Sequence, residues 1–388
     1  MISITGQYST ALVYADILEE AASEQIKALC DQPFVKDCRI RIMPDVHAGS
    51  GCVIGFTADL GKLVIPSIVG VDIGCGMLTI SLGQTAPDFD KLDQTIRAHV
   101  PSGKHVHNSP VAAFPALADL LCYDHLKHTA RHYSCIGSLG GGNHFIEVDV
   151  DDDGNYYLVI HTGSRNLGRQ VADHYQQLAF DTLSAQAAAA QQEFTLPKAL
   201  CYLTGENRAA YLHDMAICQQ YAVLNRATIA NQILTHLFGK SLDDFPHFET
   251  IHNYIDLESN ILRKGAVAAK AGETLLIPIN MRDGSLICRG KGNPEWNCTA
   301  PHGAGRMLTR SQAKQELSVE EYRMAMKDIY TTSVSEFTLD ESPMAYRSQG
   351  EILDVIEDTA EVTALLTPVY NFKAGKAAVD EETMDGAD

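Results

Sequence analysis

Five short segments place glycine beside Asp, Asn, Cys, Arg or His at the end of an apolar run. They are MPDVHAGSG (43–51), VGVDIGCGM (69–77), GGGNHFIEV (140–148), VIHTGSRNLG (159–168) and APHGAGR (300–306). IHNYID (251–256) is a weaker sixth. In VGVDIGCGM, Asp72 and Cys75 flank glycines, so a carboxylate and a thiolate can converge on a divalent cation. Taken alone, a turn with an inert buried cysteine is the simpler reading. His144, His161 and His252 each adjoin an apolar run and turn-forming polar residues. A lone histidine on a strand is more often a packed or surface residue than a ligand. Three of them with an Asp-x-x-Cys loop match the donors of a two-metal site. Imidazole and carboxylate suit manganese or zinc, and the thiolate favours the softer ion.

His302 differs in character, because Pro-His-Gly-Ala-Gly-Arg surrounds it with small residues and sets Arg306 four positions on. Small residues let a phosphate chain reach backbone N–H groups, and an arginine grips phosphate in a bidentate fork. A neutral imidazole there can attack phosphorus and form a phosphoramidate. An exposed histidine on a plain glycine turn is an equal reading of the isolated segment. From Arg282 to Lys314 the chain holds six bases (Arg282, Arg289, Lys291, Arg306, Arg310, Lys314) and two acids (Asp283, Glu295). This basic strip fits a phosphate-rich substrate, against the usual reading of a charge run as a solvated face.

The elements that must hold these loops are mixed. Residues 40–82 and 133–168 read as strands and glycine loops, with DDDGN (151–155) as a hairpin turn. Residues 10–30 and 86–132 carry helical patterning, as do 317–330 and 349–364. The Ala/Gln/Leu-rich stretch 169–240, broken near Leu196–Pro197, reads as a helical excursion from a β core; residues 262–298 return to strands. The 388 residues, 45% hydrophobic, make one large domain or two. Ten scattered cysteines and no apolar run of membrane length predict a reduced, cytoplasmic chain off the membrane. A net charge of -19 argues against loose coating of nucleic acid by bulk charge. It leaves room for a local basic cleft.

These segments, in this order, together with RKGA (263–266) and a closing AYR and PVYNFK, resemble the RNA-ligase family called RtcB from about Met43 to Lys373. The resemblance implies an α+β fold: a single large RtcB-like domain with layered β-sheets around the metal site. The domain would span 1–375, with a helical excursion at 169–245 and an acidic, disordered tail at 376–388. It implies joining of an RNA 3′-phosphate or 2′,3′-cyclic phosphate to a 5′-hydroxyl end, using GTP and two Mn(II) ions.

On this chain the implied metal ligands are Asp72, Cys75, His144, His161 and His252, with the thiolate as bridge, and the guanylylated nucleophile is His302. Asn143 and Asn253 fall near the GTP phosphates and metal. Phe145, Glu147, Tyr346 and Lys373 fall near the guanosine, Lys373 as the guanine reader. Arg165, Arg306 and Arg310 match arginines that hold RNA phosphates, and Asp45 and His47 border the site.

One segment departs from the family text: IPINMRDGSL (277–286) stands where an IPGSMG-type loop lines the triphosphate, so Asn280, Arg282 and Asp283 replace small residues. This points to a divergent bacterial branch. Such members accompany a release-factor-like protein, which makes a repair partner or activator and broken translational RNA the expected context. Two other readings stand beside it: a metal-dependent phosphoesterase without the covalent step, and a non-catalytic RNA-repair or translation-associated binding protein.

Overall fold

The computed structural model describes residues 1–375. Two large sheets and a two-stranded ribbon carry it. The first sheet has six strands in the order Ile2–Thr5, Thr10–Val13, Ile40–His47, Ile54–Asp59, Ile261–Lys264, Asn253–Asp256. The second runs Thr274–Asn280, Gly284–Gly290, Ala360–Phe372, Phe145–Val150, Tyr156–Thr162, Gly76–Gly83, His247–Ile251, with Tyr330–Thr331 beside Ala360–Phe372. Ala266–Ala268 pairs with Thr299–Pro301 as the ribbon. Strands and helices share the chain as an α+β fold, as expected.

Period-two alternation assigns the faces of the second sheet. Leu78, Ile80, Ile146, Val148, Leu158 and Ile160 pack with Leu92 and Ile96 of helix Phe89–His99 and with Ile229 and Ile233 of the 34-residue helix Gly205–Phe238. Met77, Phe145 and Val159 cluster apart from these, with Leu276 and Ile287. His161, two residues after Val159, belongs to that second face. The helical excursion consists of Arg165–Ala189 and Gly205–Phe238, separated by the segment that contains Pro197. DDDGN is the hairpin turn between Phe145–Val150 and Tyr156–Thr162; the Asp151 carboxylate accepts from the backbone N–H of Asp153 and Asn155.

Three expectations need correction. Residues 10–13 form a strand between Ile2–Thr5 and Ile40–His47, and the helix begins only at Glu20. Ala11 and Val13 are both fully buried, and that alternation outweighs helical patterning over so short a run. Residues 100–128 are irregular, with short 3-10 turns at Pro115–Asp119 and Tyr123–His125. Pro101, Pro110 and Pro115 each lack the N–H a helix interior needs. The helix from Gln349 stops at Ile356, and Ala360 opens a 13-residue strand. Among the described residues no helix is long and apolar enough to cross a membrane. The expected acidic tail, 376–388, lies outside the described residues.

Candidate metal centre and active site

Strand register brings the expected ligands to one sheet end. Gly76 pairs with Thr162 on one side and Ile251 on the other, so Cys75 and His252 lie one residue past neighbouring strand ends. Phe145 pairs with His161, which sets His144 beside them. The backbone N–H of His252 donates to the Cys75 carbonyl at 3.0 Å. Asp72 comes from the loop after the short helix Pro66–Val69. Its Oδ1 accepts from the N–H of Ser164 at 3.0 Å and from the Ser164 hydroxyl at 3.2 Å. Gly163 permits this approach, because a Cβ there would stand 2.4 Å from Asp72 Oδ1.

The donor atoms fall into two groups sharing one thiol: Cys75 with His161 and His252, and Cys75 with Asp72 and His144. Cys75 Sγ lies 3.4 Å from His161 Nε2 and 3.6 Å from His144 Nε2. His144 Nε2 is 3.1 Å from Asp72 Oδ2, and His161 Nε2 is 3.1 Å from His252 Nε2. His144 Nδ1 bonds the Leu139 carbonyl at 2.9 Å and His161 Nδ1 the Asn143 carbonyl at 3.3 Å. Each Nδ1 thereby keeps the proton and leaves an Nε2 lone pair aimed into the cluster. Burial, then neighbouring histidines, holds His161 and His252 well below the usual imidazole range, so both are neutral bases at pH 7. Burial, then the Asp72 carboxylate, pushes the Cys75 thiol well up. A bound cation reverses that preference, because a coordinating thiol is deprotonated outright. Buried thiol, carboxylate and neutral imidazoles, sharing one sulfur, fit a pair of divalent cations.

Helix Gly205–Phe238 braces this centre with two adjacent residues that the sequence reading did not single out. Asn225, fully buried, accepts from Gly137 N–H at 2.8 Å and Ser138 N–H at 3.2 Å, and donates to the Gly163 carbonyl at 3.1 Å. Arg226, also fully buried, donates to the carbonyls of Gly74 at 2.9 Å and Thr162 at 2.8 Å, and pairs with Glu249 at 2.7 Å. The three loops so tied carry Asp72 and Cys75, His144, and His161. Lys264 plays a like part for the MPDVHAGSG loop. Its buried ammonium donates to the carbonyls of Ser50, Cys52 and Ser67, and burial lowers it to about 8.

His302 stands at this centre, its ring centroid 4.9 Å from that of His252. Its Nδ1 lies 2.6 Å from Asp45 Oδ2, and its backbone N–H donates to the same oxygen at 3.1 Å. Asp45 is fully buried. The carboxylate fixes the ring and keeps the proton on Nδ1, which leaves Nε2 as the free nucleophilic nitrogen. His47 is turned back on its own strand, Nδ1 to the Asp45 carbonyl at 2.9 Å.

The remaining expected residues divide. Lys373 Nζ donates to the Asn143 carbonyl at 3.2 Å and lies 5.5 Å above the Phe145 ring, so Asn143, Phe145 and Lys373 meet beside His161. Tyr346 joins them through Glu341, a buried carboxylate absent from the sequence reading. Glu147 is buried against Asn371, and burial raises its carboxyl to about 7. Asn253 is spent on the framework: it accepts from Gly265 N–H at 2.9 Å and donates to the Asp72 carbonyl at 3.3 Å. Arg165 donates to the Gly103 carbonyl at 2.9 Å and to the Ser138 hydroxyl at 3.3 Å.

The basic strip is answered by acids, which its sequence did not reveal. Arg310 pairs with Asp340 at 2.7 Å and Glu341 at 2.6 Å, Arg306 with Glu341 at 3.4 Å, and Lys314 with Asp340 at 3.3 Å. In the departing segment, Arg282 and Asn280 both bond Asp283, making a self-contained hairpin turn.

Neighbouring strand ends, two ligand groups on one sulfur and an oriented histidine make a candidate two-cation site with an imidazole held beside it. The chain belongs to the RtcB family: the model of the family described as tRNA-splicing ligase RtcB matches residues 25–121 and 121–374. The RNA-splicing ligase RtcB of Escherichia coli K12 is 32% identical, over 92% of this chain and 95% of the relative. The tRNA-splicing ligase RtcB of Aeropyrum pernix is 27% identical over 89% of this chain and 90% of its own length. The Mycobacterium tuberculosis RNA-splicing ligase RtcB is 28% identical, over 84% and 95%.

Proposed function

We propose that the protein is an RNA ligase that joins RNA 3′-phosphate or 2′,3′-cyclic phosphate ends to 5′-hydroxyl ends, using GTP and two Mn(II) ions. The observation that carries this reading is the placement of His302: locked by Asp45 at 2.6 Å, with its ring centroid 4.9 Å from that of the metal-type ligand His252. A phosphoesterase could use the same Asp-held histidine as a general acid, so the covalent GMP adduct is what separates the two readings.

His302 Nε2 attacks the α-phosphorus of GTP; the bond to the β-phosphate oxygen breaks and pyrophosphate leaves. Asp45 holds the Nδ1 proton and offsets the positive charge the ring acquires on becoming a phosphoramidate. An oxygen of the RNA 3′-phosphate then displaces His302 and takes the guanylyl group, giving an RNA-ppG end. Finally the 5′-hydroxyl attacks the original 3′-phosphorus, GMP departs and the hydroxyl proton passes to solvent; a 2′,3′-cyclic end is first opened by water to the 3′-phosphate. A phosphomonoester is a poor electrophile, so guanylylation supplies the leaving group it lacks. Mn(II) held by Asp72, Cys75, His144, His161 and His252 supplies Lewis-acid stabilisation of phosphate charge. Arg165, Arg306 and Arg310 hold RNA phosphates; Asn143, Phe145, Glu147, Tyr346 and Lys373 hold the nucleotide. A repair role, cytoplasmic placement and a release-factor-like or activating partner belong to the same proposal.

The test is a joining assay on RNA with 3′-phosphate and 5′-hydroxyl ends, with GTP and Mn(II). Joined product with both cofactors and none without either is expected. Release of inorganic phosphate without joining would establish the phosphoesterase instead, and RNA binding without turnover the non-catalytic reading.

A further inference from the structure

Glu341 ends the short 3-10 segment Glu336–Glu341 and lies outside every segment singled out in the sequence. Its side chain is 4% exposed, yet four groups converge on it. Oε2 accepts from Lys373 Nζ at 2.9 Å and from the Tyr346 hydroxyl at 2.9 Å. Oε1 accepts from Arg310 Nη1 at 2.6 Å and faces Arg306 Nη1 at 3.4 Å. Arg306 also donates to the Tyr346 hydroxyl at 3.0 Å. On its far side Lys373 reaches the Asn143 carbonyl, which also accepts from His161 Nδ1. Burial alone would raise this carboxyl, but Lys373, Arg310 and Arg306 together hold it at about 2. Glu341 is therefore charged at any working pH, and three cations share it.

The proposed function gives these partners to different substrates: Lys373 and Tyr346 to guanine, Arg306 and Arg310 to RNA phosphate. We propose that Glu341 is a positioning residue that couples guanine recognition to capture of the RNA 3′-phosphate. A base that draws the Lys373 ammonium toward itself leaves more of the carboxylate to the arginines and tightens their orientation. By linkage, a phosphate that fixes the arginines must equally favour the state in which Lys373 faces the base. The inference rests on the proposed function, because it needs both substrates at this site.

The test compares the full chain with Glu341→Gln and Glu341→Asp. Glutamine keeps the shape and removes the charge. Aspartate keeps the charge and is one methylene too short to span Lys373 and Arg310 together. The reading is the dissociation constant of a 3′-phosphorylated oligoribonucleotide with and without saturating GMP, a pair that cannot react. GMP should tighten RNA binding by the native chain about 5-fold or more. In Glu341→Asp, and in Glu341→Gln where it folds, the ratio should fall to about 1. A purely structural role would lower folded fraction and leave the ratio unchanged. Aspartate with the native ratio overturns the inference, as does a native ratio of 1 when both ligands bind. A native chain that binds neither GMP nor the phosphorylated RNA overturns the proposed function itself.

Discussion

His302 Nδ1 and Asp45 Oδ2 stand 2.6 Å apart although the residues are 257 positions apart in sequence. The pair holds an exposed-looking glycine-loop histidine in one orientation, as the proposed nucleophile requires. Asp45→Asn keeps the size of the side chain but offers the ring either the wrong partner atom or the wrong tautomer. Guanylylation of His302 should slow by about 100- to 10,000-fold, with the thermal midpoint little changed. Single-turnover labelling with GTP is the measurement; a rate within threefold of native would remove Asp45 from the mechanism.

Cys75 is the one donor common to both ligand groups. Cys75→Ala should therefore disturb two cation positions at once, whereas His252→Ala should disturb one. Elemental analysis after equilibrium with Mn(II) is expected to show fewer than one ion per chain for Cys75→Ala. Two ions retained by that variant would contradict a bridging thiolate.

Asn225→Ala strips the partners from Gly137 N–H and the Gly163 carbonyl and leaves Ser138 N–H only the Cys135 carbonyl. Buried groups left unsatisfied cost about 1–3 kcal/mol each, so a loss of at least ~2 kcal/mol in denaturant unfolding is expected. Arg226→Lys should be milder in stability but should weaken Co(II) binding about tenfold. The thiolate-to-cobalt absorption band reads that directly, and an unperturbed band would show that the brace does not set ligand geometry.

His132 gives stability a defined pH dependence. It is 2% exposed, and burial lowers it to about 4. The unfolded chain takes up that proton near pH 6.5, so its contribution is present above pH 6.5 and is lost progressively as pH falls toward 4. The full effect is on the order of 3 kcal/mol. His132→Gln should flatten the fall in thermal midpoint between pH 7 and 4.5; a slope equal to native would assign the acid loss elsewhere.

The candidate metal donors were legible in sequence because most sit in a glycine-rich segment after an apolar run, and strand register then gathers Cys75, His144, His161 and His252. His302 was legible for the same reason. Asp45 was seen only as bordering the site, since nothing in MPDVHAGSG points to a partner in APHGAGR. Glu341, Asn225 and Arg226 left no signal: an acid in a plain segment and two polar residues within a helix gain meaning only from long-range packing. The charge of the strip from Arg282 to Lys314 was only partly legible for a related reason, because Asp340 and Glu341, which pair with Arg310 and Lys314, come later in the chain. In the fold, short apolar runs between glycine loops located most strands of the second sheet. The prolines after residue 100 were the neglected warning against helix there.

The central claim is that His302 carries the guanylyl group. Intact mass after incubation with GTP and Mn(II) tests it most directly. The account expects one GMP adduct on the native chain, mapped to the peptide containing His302, and none on folded His302→Ala. An adduct of equal yield on His302→Ala, or a native chain that joins RNA ends with no adduct at any time, would contradict it.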